Sequence, residues 1–138
     1  MKSFTKFKKL SLLAGSALCS LAVSATDLTV YTAVEAEDLK KYAARFNETH
    51  PDININWVRD STGVVTAKLL AEKENPQADV VWGLAATSLM LLDKQNMLQS
   101  YKPKGFDKLS PKFRDSNEAP VWTGMDAWIA AVCFNTVE

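Results

Sequence analysis

Beyond residue 25, the spacing of hydrophobic and polar positions alternates between a strand period and a helix period. Leu28 to Tyr31 ("LTVY") is a short apolar run rich in β-branched and aromatic residues, which predicts a buried strand. From Glu37 the period lengthens. Leu39, Tyr42, Ala43 and Phe46 stand at i, i+3, i+4 and i+7, one apolar stripe of a helix. Glu35, Glu37 and Asp38 lie near its start, where the helix dipole favours acids, and Pro51 ends it. "ININWV" (Ile53 to Val58) then alternates Ile53, Ile55 and Trp57 against Asn54 and Asn56, a strand with one face inward. A helix follows from about Val64 to Glu74, with Val65, Leu69 and Leu70 inward and Asn75-Pro76 as its stop. "ADVVW" (Ala78 to Trp82) is the third strand, and "GLAAT" leads into a helix whose apolar positions are Leu89, Met90 and Leu92.

Three strand–helix units in a row predict an α/β fold: a mostly parallel sheet, right-handed crossovers and helices on both faces, hence three layers. Residues 100–120 are less regular. Ser110-Pro111 can start a short helix, with Pro at its first position, and the remainder reads as loop. "VWTGMDAWIAAVCFN" (Val121 to Asn135) resumes an extended pattern interrupted at Gly124, and the sequence stops at Glu138 just after it.

The first 25 residues do not join this pattern. "MKSFTKFKK" is basic, Leu10 to Val23 is an apolar stretch of fourteen residues, and Val23-Ser24-Ala25 places small residues where a signal peptidase reads. The stretch is shorter than the roughly 20 residues a membrane-spanning helix needs. Cleavage after Ala25 and export to the periplasm are expected. Removing residues 1–25 removes four lysines and no acids, which leaves twelve basic and sixteen acidic residues. A mildly acidic chain without a basic block is a poor nucleic-acid binder, so an anionic ligand would have to be held by local geometry. Cys133 would be the one remaining cysteine, so no internal disulfide is expected.

Open α/β sheets bind ligands beyond the carboxyl ends of their strands. Those ends are "TAVEAE", "RDSTG" and "GLAAT", and two of them bring a glycine and a hydroxyl to a helix start. Backbone N–H groups are unsatisfied there and the dipole adds positive potential, while glycine lets backbone approach a ligand closely. The same residues also make ordinary helix caps, with Asp60 or Ser61 in that role. Both readings stay open on the sequence. Catalytic and metal chemistries lack their motifs. There is no G-x-x-x-x-G-K-[ST], no H-E-x-x-H, no zinc-spaced cysteine pair and no G-x-S-x-G. The one histidine, His50, falls beside Pro51 at a helix end and reads as a turn residue. No cofactor and no metal are expected.

The stretches "LTVYTAVEAEDLK", "WVRDSTGVVTAKLLAEKENPQADVVWGLAATSLMLL" and "WTGMDAWIAAVCFNT" carry a family likeness. The sequence resembles the periplasmic solute-binding proteins of ABC transporters, in the two-lobed class that includes the iron(III)-binding proteins. "AEKENPQADVVWG" points to the class, whereas "RDSTG", "GLAATS" and "GMDAW" are similar to the 2-aminoethylphosphonate-binding branch.

The resemblance implies a signal peptide (1–25), a first ligand-binding lobe (26–120), and a hinge strand (121–138) leading to a second lobe that these residues do not include. It implies that Ser61, Thr62 and Gly63 hold phosphonate oxygens and that Ala86 and Thr87 contribute from the third loop. For the ligand's amine it implies Asp126 as acceptor, or Glu35 as the second choice, with Tyr31 and Trp122 as walls. The aromatics read equally well as core. The implied protein is a monomer that delivers a small anion to an inner-membrane permease. A ferric-ion or other small-anion binder of the same class is the alternative, although "YTAVEAE" lacks the histidine that iron-binding relatives place there. An exported α/β enzyme is the alternative from outside the class. Because such sites close between two lobes, residues 1–138 are expected to hold a half-site and to bind weakly.

Overall fold

The computed structural model describes residues 26–128 and 131–136; the signal-peptide assignment lies outside them. Strand β1 (Thr26–Thr32), helix α1 (Ala36–Asn47), strand β2 (Ile53–Arg59), helix α2 (Thr62–Ala71), strand β3 (Val80–Trp82) and helix α3 (Ala86–Lys94) follow in order. The sheet order is β2-β1-β3, and both pairings are parallel. The step from β1 to β2 and the step from β2 to β3 therefore run in opposite directions across the sheet. With crossovers of one hand, that reversal puts α1 and α2 on opposite faces.

The side chains agree with this arrangement. Val30 pairs in register with Trp57 and Val80, and Thr32 with Trp82, so these residues share a face. That face meets α1, where the Tyr42 ring packs edge-on against Trp82 at 4.9 Å and Trp57 lies 5.7 Å from Trp82. The opposite face carries Tyr31, Val58 and Val81 and packs with Val65 and Leu69 of α2 and Leu92 of α3. Leu92 and Val65 are among the most deeply buried side chains in the molecule.

Local chemistry sets the boundaries. The β1–β3 ladder continues past β3 through Asp79, whose N–H donates to Thr29 O at 2.9 Å. Its carboxylate in turn accepts from the Thr29 N–H at 2.8 Å. Helix α2 ends at Ala71 and not near Glu74, because Glu72 turns inward. The Tyr31 hydroxyl donates to Glu72 Oε2 at 2.8 Å, and Lys68 Nζ donates to Oε1 at 2.5 Å. In α3, Met90 is 47% exposed, contrary to the inward position its hydrophobicity suggests. Leu92 and Leu89 fill that face, and Met90 lies to the side. Ser110 and Pro111 start a short 3-10 turn over Pro111–Phe113, as the spacing predicts. A second turn over Phe106–Lys108 was not legible. It buries Phe106 with Lys102 Nζ and the Arg114 guanidinium over its ring at 5.5 and 5.3 Å.

The extended pattern from Val121 does not become a strand among the described residues. Thr123 makes a single antiparallel bridge with Arg114, and Gly124 N–H donates to Phe113 O at 2.9 Å. Strand propensity needs a neighbouring ladder to be expressed, and among the described residues of this stretch Thr123 alone joins a β-bridge. Trp128, Val132 and Phe134 are consequently more than 70% exposed.

The Tyr31–Glu72–Lys68 group makes stability depend on pH at both ends. Hydrogen bonds from Lys68 and then Tyr31 hold the Glu72 carboxyl below its ordinary value of 4.5. Burial, followed by the neighbouring Glu72, pushes the Tyr31 hydroxyl above its ordinary 10.0. A depressed carboxylate contributes stability above its unfolded pKa and loses it as pH falls through the folded value. A raised tyrosine contributes below its unfolded pKa and loses it as pH rises through the folded value. The urea midpoint is expected to be flat between these limits and to fall on either side. Glu72→Gln should make the acid limb shallower, and Tyr31→Phe the alkaline limb.

Candidate functional site

All three strands are parallel, so the segments that follow them emerge at one edge of the sheet. Helices α1 and α3, which follow adjacent strands, lie on opposite faces, so the edge beyond β1 and β3 is a topological switch point. Val34 ties the three segments together. Its N–H donates to Thr32 Oγ1 at 3.1 Å, and its carbonyl accepts from Arg59 Nε at 2.7 Å. Its side chain meets the third segment, where Gly83 has φ +69° and a Cβ would lie 2.1 Å from Val34 Cγ2. Arg59 Nη2 also donates to Glu35 Oε2 at 2.5 Å. Asp60 N–H donates to Thr32 O at 3.2 Å, which locks the second segment to the first. Thr32, the polar hub beneath these contacts, is fully buried.

The helices that start here have N-caps at Glu35, Ser61 and Ala85, and none of these makes a side-chain capping hydrogen bond. Asp60 Oδ1 accepts from the Ser61 N–H at 2.6 Å, one residue before the helix. The Ser61 hydroxyl is therefore not engaged as a cap. Each helix presents first-turn N–H groups that intrahelical bonds leave unsatisfied. Thr62 is half-buried and its carbonyl accepts from Thr66 Oγ1 at 2.6 Å. Ser61, Gly63, Ala86 and Thr87 are exposed. A Cβ at Gly63 would meet nothing within 4 Å, so the space beside this turn is open.

The remaining residues named from the sequence have contacts of their own. Tyr31 is 2% exposed beneath α2 in the core, its hydroxyl committed to Glu72. Trp122 lines a cavity of about 380 Å³ with Met90, Asp93, Lys112, Arg114 and Asn117, between α3 and the segment after it. That segment is stapled by the buried Asp115, whose carboxylate accepts from the N–H groups of Asn117 and Val121 at 3.1 and 2.9 Å. Asp126 is exposed and accepts from the Ala127 N–H at 2.7 Å. His50 stacks on Phe46 at 4.6 Å and contacts Thr49 Oγ1 at 2.8 Å, a surface-turn role. Among the described residues no cluster of histidine, cysteine or carboxylate side chains could hold a metal ion.

Val34 and Arg59 are the rim residues that sequence reasoning passed over. Arg59 carried one signal, since it opens the "RDSTG" run as a cation next to the proposed seat. Val34 carried none, because its role depends on two distant segments.

Known proteins are similar to this chain in sequence and, where solved, in fold. An uncharacterized protein of Haemophilus influenzae is 32% identical over 117 residues, which is 80% of this chain and 34% of that protein. A probable ABC transporter periplasmic-binding protein of Sinorhizobium fredii, y4fP, is 41% identical over 54 residues, or 39% of this chain and 15% of its own length. The chain thus spans about a third or less of the relatives it matches. Among solved structures, the periplasmic binding protein AfuA from Actinobacillus pleuropneumoniae, with exogenous fructose-6-phosphate bound, superposes with a TM-score of 0.61. Identity is 27% over 70% of this chain and 30% of AfuA. The periplasmic binding protein P5PA gives a TM-score of 0.58 at 27% identity, over 64% of this chain and 28% of its own. The parallel α/β unit thus corresponds to one lobe of a two-lobed binding protein. The model of the family described as "Bacterial extracellular solute-binding protein" matches residues 32–131, from the end of β1 through all three rim segments. By that match, the chain belongs to the bacterial extracellular solute-binding protein family.

Proposed function

We propose that the rim joined through Val34 is the anion seat of an exported solute-binding protein that captures 2-aminoethylphosphonate and passes it to an ABC permease. One observation carries this reading: three helices without side-chain caps begin at a single sheet edge, beside a glycine with open space where a Cβ would stand. Ser61, Thr62 and Gly63 bind phosphonate oxygens through hydroxyl and N–H groups, and the Ala86 and Thr87 N–H groups add to them. Asp126 takes the ammonium group. Tyr31 acts from beneath by holding the sheet against α2, and Trp122 borders the cavity beside α3.

Magnitudes make this a half-site. Hydrogen bonds to a charged group contribute about 1.5–3 kcal/mol each, and a helix terminus about 0.3–1 kcal/mol. Micromolar affinity needs about 8 kcal/mol after association costs. Exposed donors compete with water, so residues 1–138 should bind 2-aminoethylphosphonate more weakly than micromolar. Calorimetry on the purified chain checks this, and sub-micromolar binding would contradict it. Amide shifts at residues 61–63 and 86–87 during a phosphonate titration test the seat itself; shifts confined to other residues would remove it.

Two substitutions separate roles. Gly63→Ala should raise stability by up to about 0.5–1 kcal/mol, since alanine is the better helix former. It should also weaken anion binding by about an order of magnitude, because the new methyl occupies the seat. Equal affinity with raised stability would make Gly63 a plain helix residue. Asp126→Asn should weaken 2-aminoethylphosphonate far more than an alkylphosphonate, and equal losses would take the amine away from Asp126.

A second reading has its own support. AfuA holds a sugar phosphate, and a phosphate ester offers the rim the same oxygens as a phosphonate. A thermal-shift panel of 2-aminoethylphosphonate, fructose-6-phosphate, inorganic phosphate, an aminoalkyl sulfonate and ferric citrate ranks the ligands. Stabilisation by ferric ion alone would discard the anion seat.

A further inference from the structure

Arg59 stands two residues before the proposed seat, and its two contacts differ in kind. Nε donates to the Val34 carbonyl at 2.7 Å, a main-chain acceptor that the Thr32 hydroxyl and Gly83 also fix in place. Nη2 pairs with Glu35 Oε2 at 2.5 Å, and the Glu35 side chain is 78% exposed against 36% for Arg59. The first contact positions the guanidinium. The second neutralises it through a carboxylate on a side chain that is largely in water. Such surface ion pairs contribute little and are easily exchanged. Guanidinium binds phosphoryl oxygens in the same planar, two-point fashion as it binds a carboxylate.

We propose that Arg59 is the specificity-determining cation of this rim, latched on Glu35 until a ligand's phosphoryl oxygens displace that carboxylate. The inference rests on the anion seat proposed above. Glu35 acts as an internal competitor, occupying the Nη2 donor that a dianion would use. Because Nε stays on Val34, displacing Glu35 frees a positive charge without releasing the side chain that carries it. Singly charged anions gain less from the exchange than doubly charged ones. The rim thereby selects for phosphonates and phosphate esters over carboxylates.

The test is a titration of the full chain with inorganic phosphate and, separately, acetate, followed by ¹H–¹⁵N amide shifts for wild type, Glu35→Gln, Arg59→Gln and the double variant. Glu35→Gln keeps Arg59 on Val34, so its fold is the least disturbed. It should bind phosphate about three- to tenfold more tightly than wild type. Arg59→Gln should lose about tenfold, and the double variant should match Arg59→Gln, because the latch has no effect without the cation. Acetate affinity should change less than phosphate affinity in each variant. If Glu35→Gln leaves phosphate affinity unchanged, the latch is overturned. If Arg59→Gln binds like wild type while the amides of residues 61–63 still shift, Arg59 is excluded and the anion seat survives. If phosphate moves no rim amide in wild type or in Glu35→Gln, the seat fails, and this inference with it.

Discussion

Replacing Gly83 with alanine should lower the stability of the lobe by about 2–5 kcal/mol and weaken anion binding at the rim. The left-handed φ of +69° costs an L-residue about 1–2 kcal/mol. The added methyl would also fall 2.1 Å from Val34 Cγ2, and overpacking of that kind costs about 1–3 kcal/mol. Val34 cannot simply move away, since its N–H is held by Thr32 and its carbonyl by Arg59. The strain would therefore spread to the other two rim segments, which is why binding should fall with stability. Urea denaturation measures the first effect and phosphate titration the second. Adding Val34→Ala should recover the steric part and leave the backbone part, a non-additivity readable in a double-mutant cycle. A Gly83→Ala chain within about 0.5 kcal/mol of wild type would show that the third segment is not packed against the first.

Leu92→Ala should be the most damaging single truncation in the core, at about 3–5 kcal/mol. The side chain is fully buried between α3 and the sheet, in the cluster that contains Tyr31, Val65, Leu69 and Leu84. Domains of this size are stable by about 5–15 kcal/mol, so the loss is a large share of the total. Helix α3 carries Ala86 and Thr87 to the rim, and loosening its far end frees its near end. The amides of residues 89–94, bonded within α3, should then lose hydrogen-exchange protection before those of residues 66–71 in α2. Met90→Ala, one half-turn away and 47% exposed, provides the contrast and should cost less than about 1 kcal/mol. Similar losses at Leu92 and Met90 would mean that α3 is not anchored through Leu92.

Several elements were legible because their signal is local. The stripe Leu39, Tyr42, Ala43 and Phe46 and the alternation Ile53, Ile55, Trp57 mark α1 and β2, although α1 stops at Asn47, well before Pro51. Helix α2 has Ser61 as its N-cap, one of the two caps the sequence offers, but it ends early for a non-local reason: Glu72 is drawn to Tyr31, forty-one residues away. Tyr31 itself shows the limit of residue type as a guide. An aromatic at the end of a strand suits a ligand wall and a core equally, and α2, packed on the same face with Glu72 at its end, gives it the core position. The apolar run after Val121 looks like a strand by composition, yet its backbone finds one bridging partner among the described residues.

What the sequence determined by itself was the alternation of strands and helices, hence a parallel α/β sheet, and the three segments that must follow its strands. Periodicity and turn chemistry reside within a few consecutive residues, so those features can be read from the chain. Tertiary structure decided which residues of those segments meet. Val34 joins Thr32, Arg59 and Gly83 because the sheet order β2-β1-β3 places β1 between the other two strands. Strand order is fixed by long-range packing of both faces, and no short stretch of sequence encodes it.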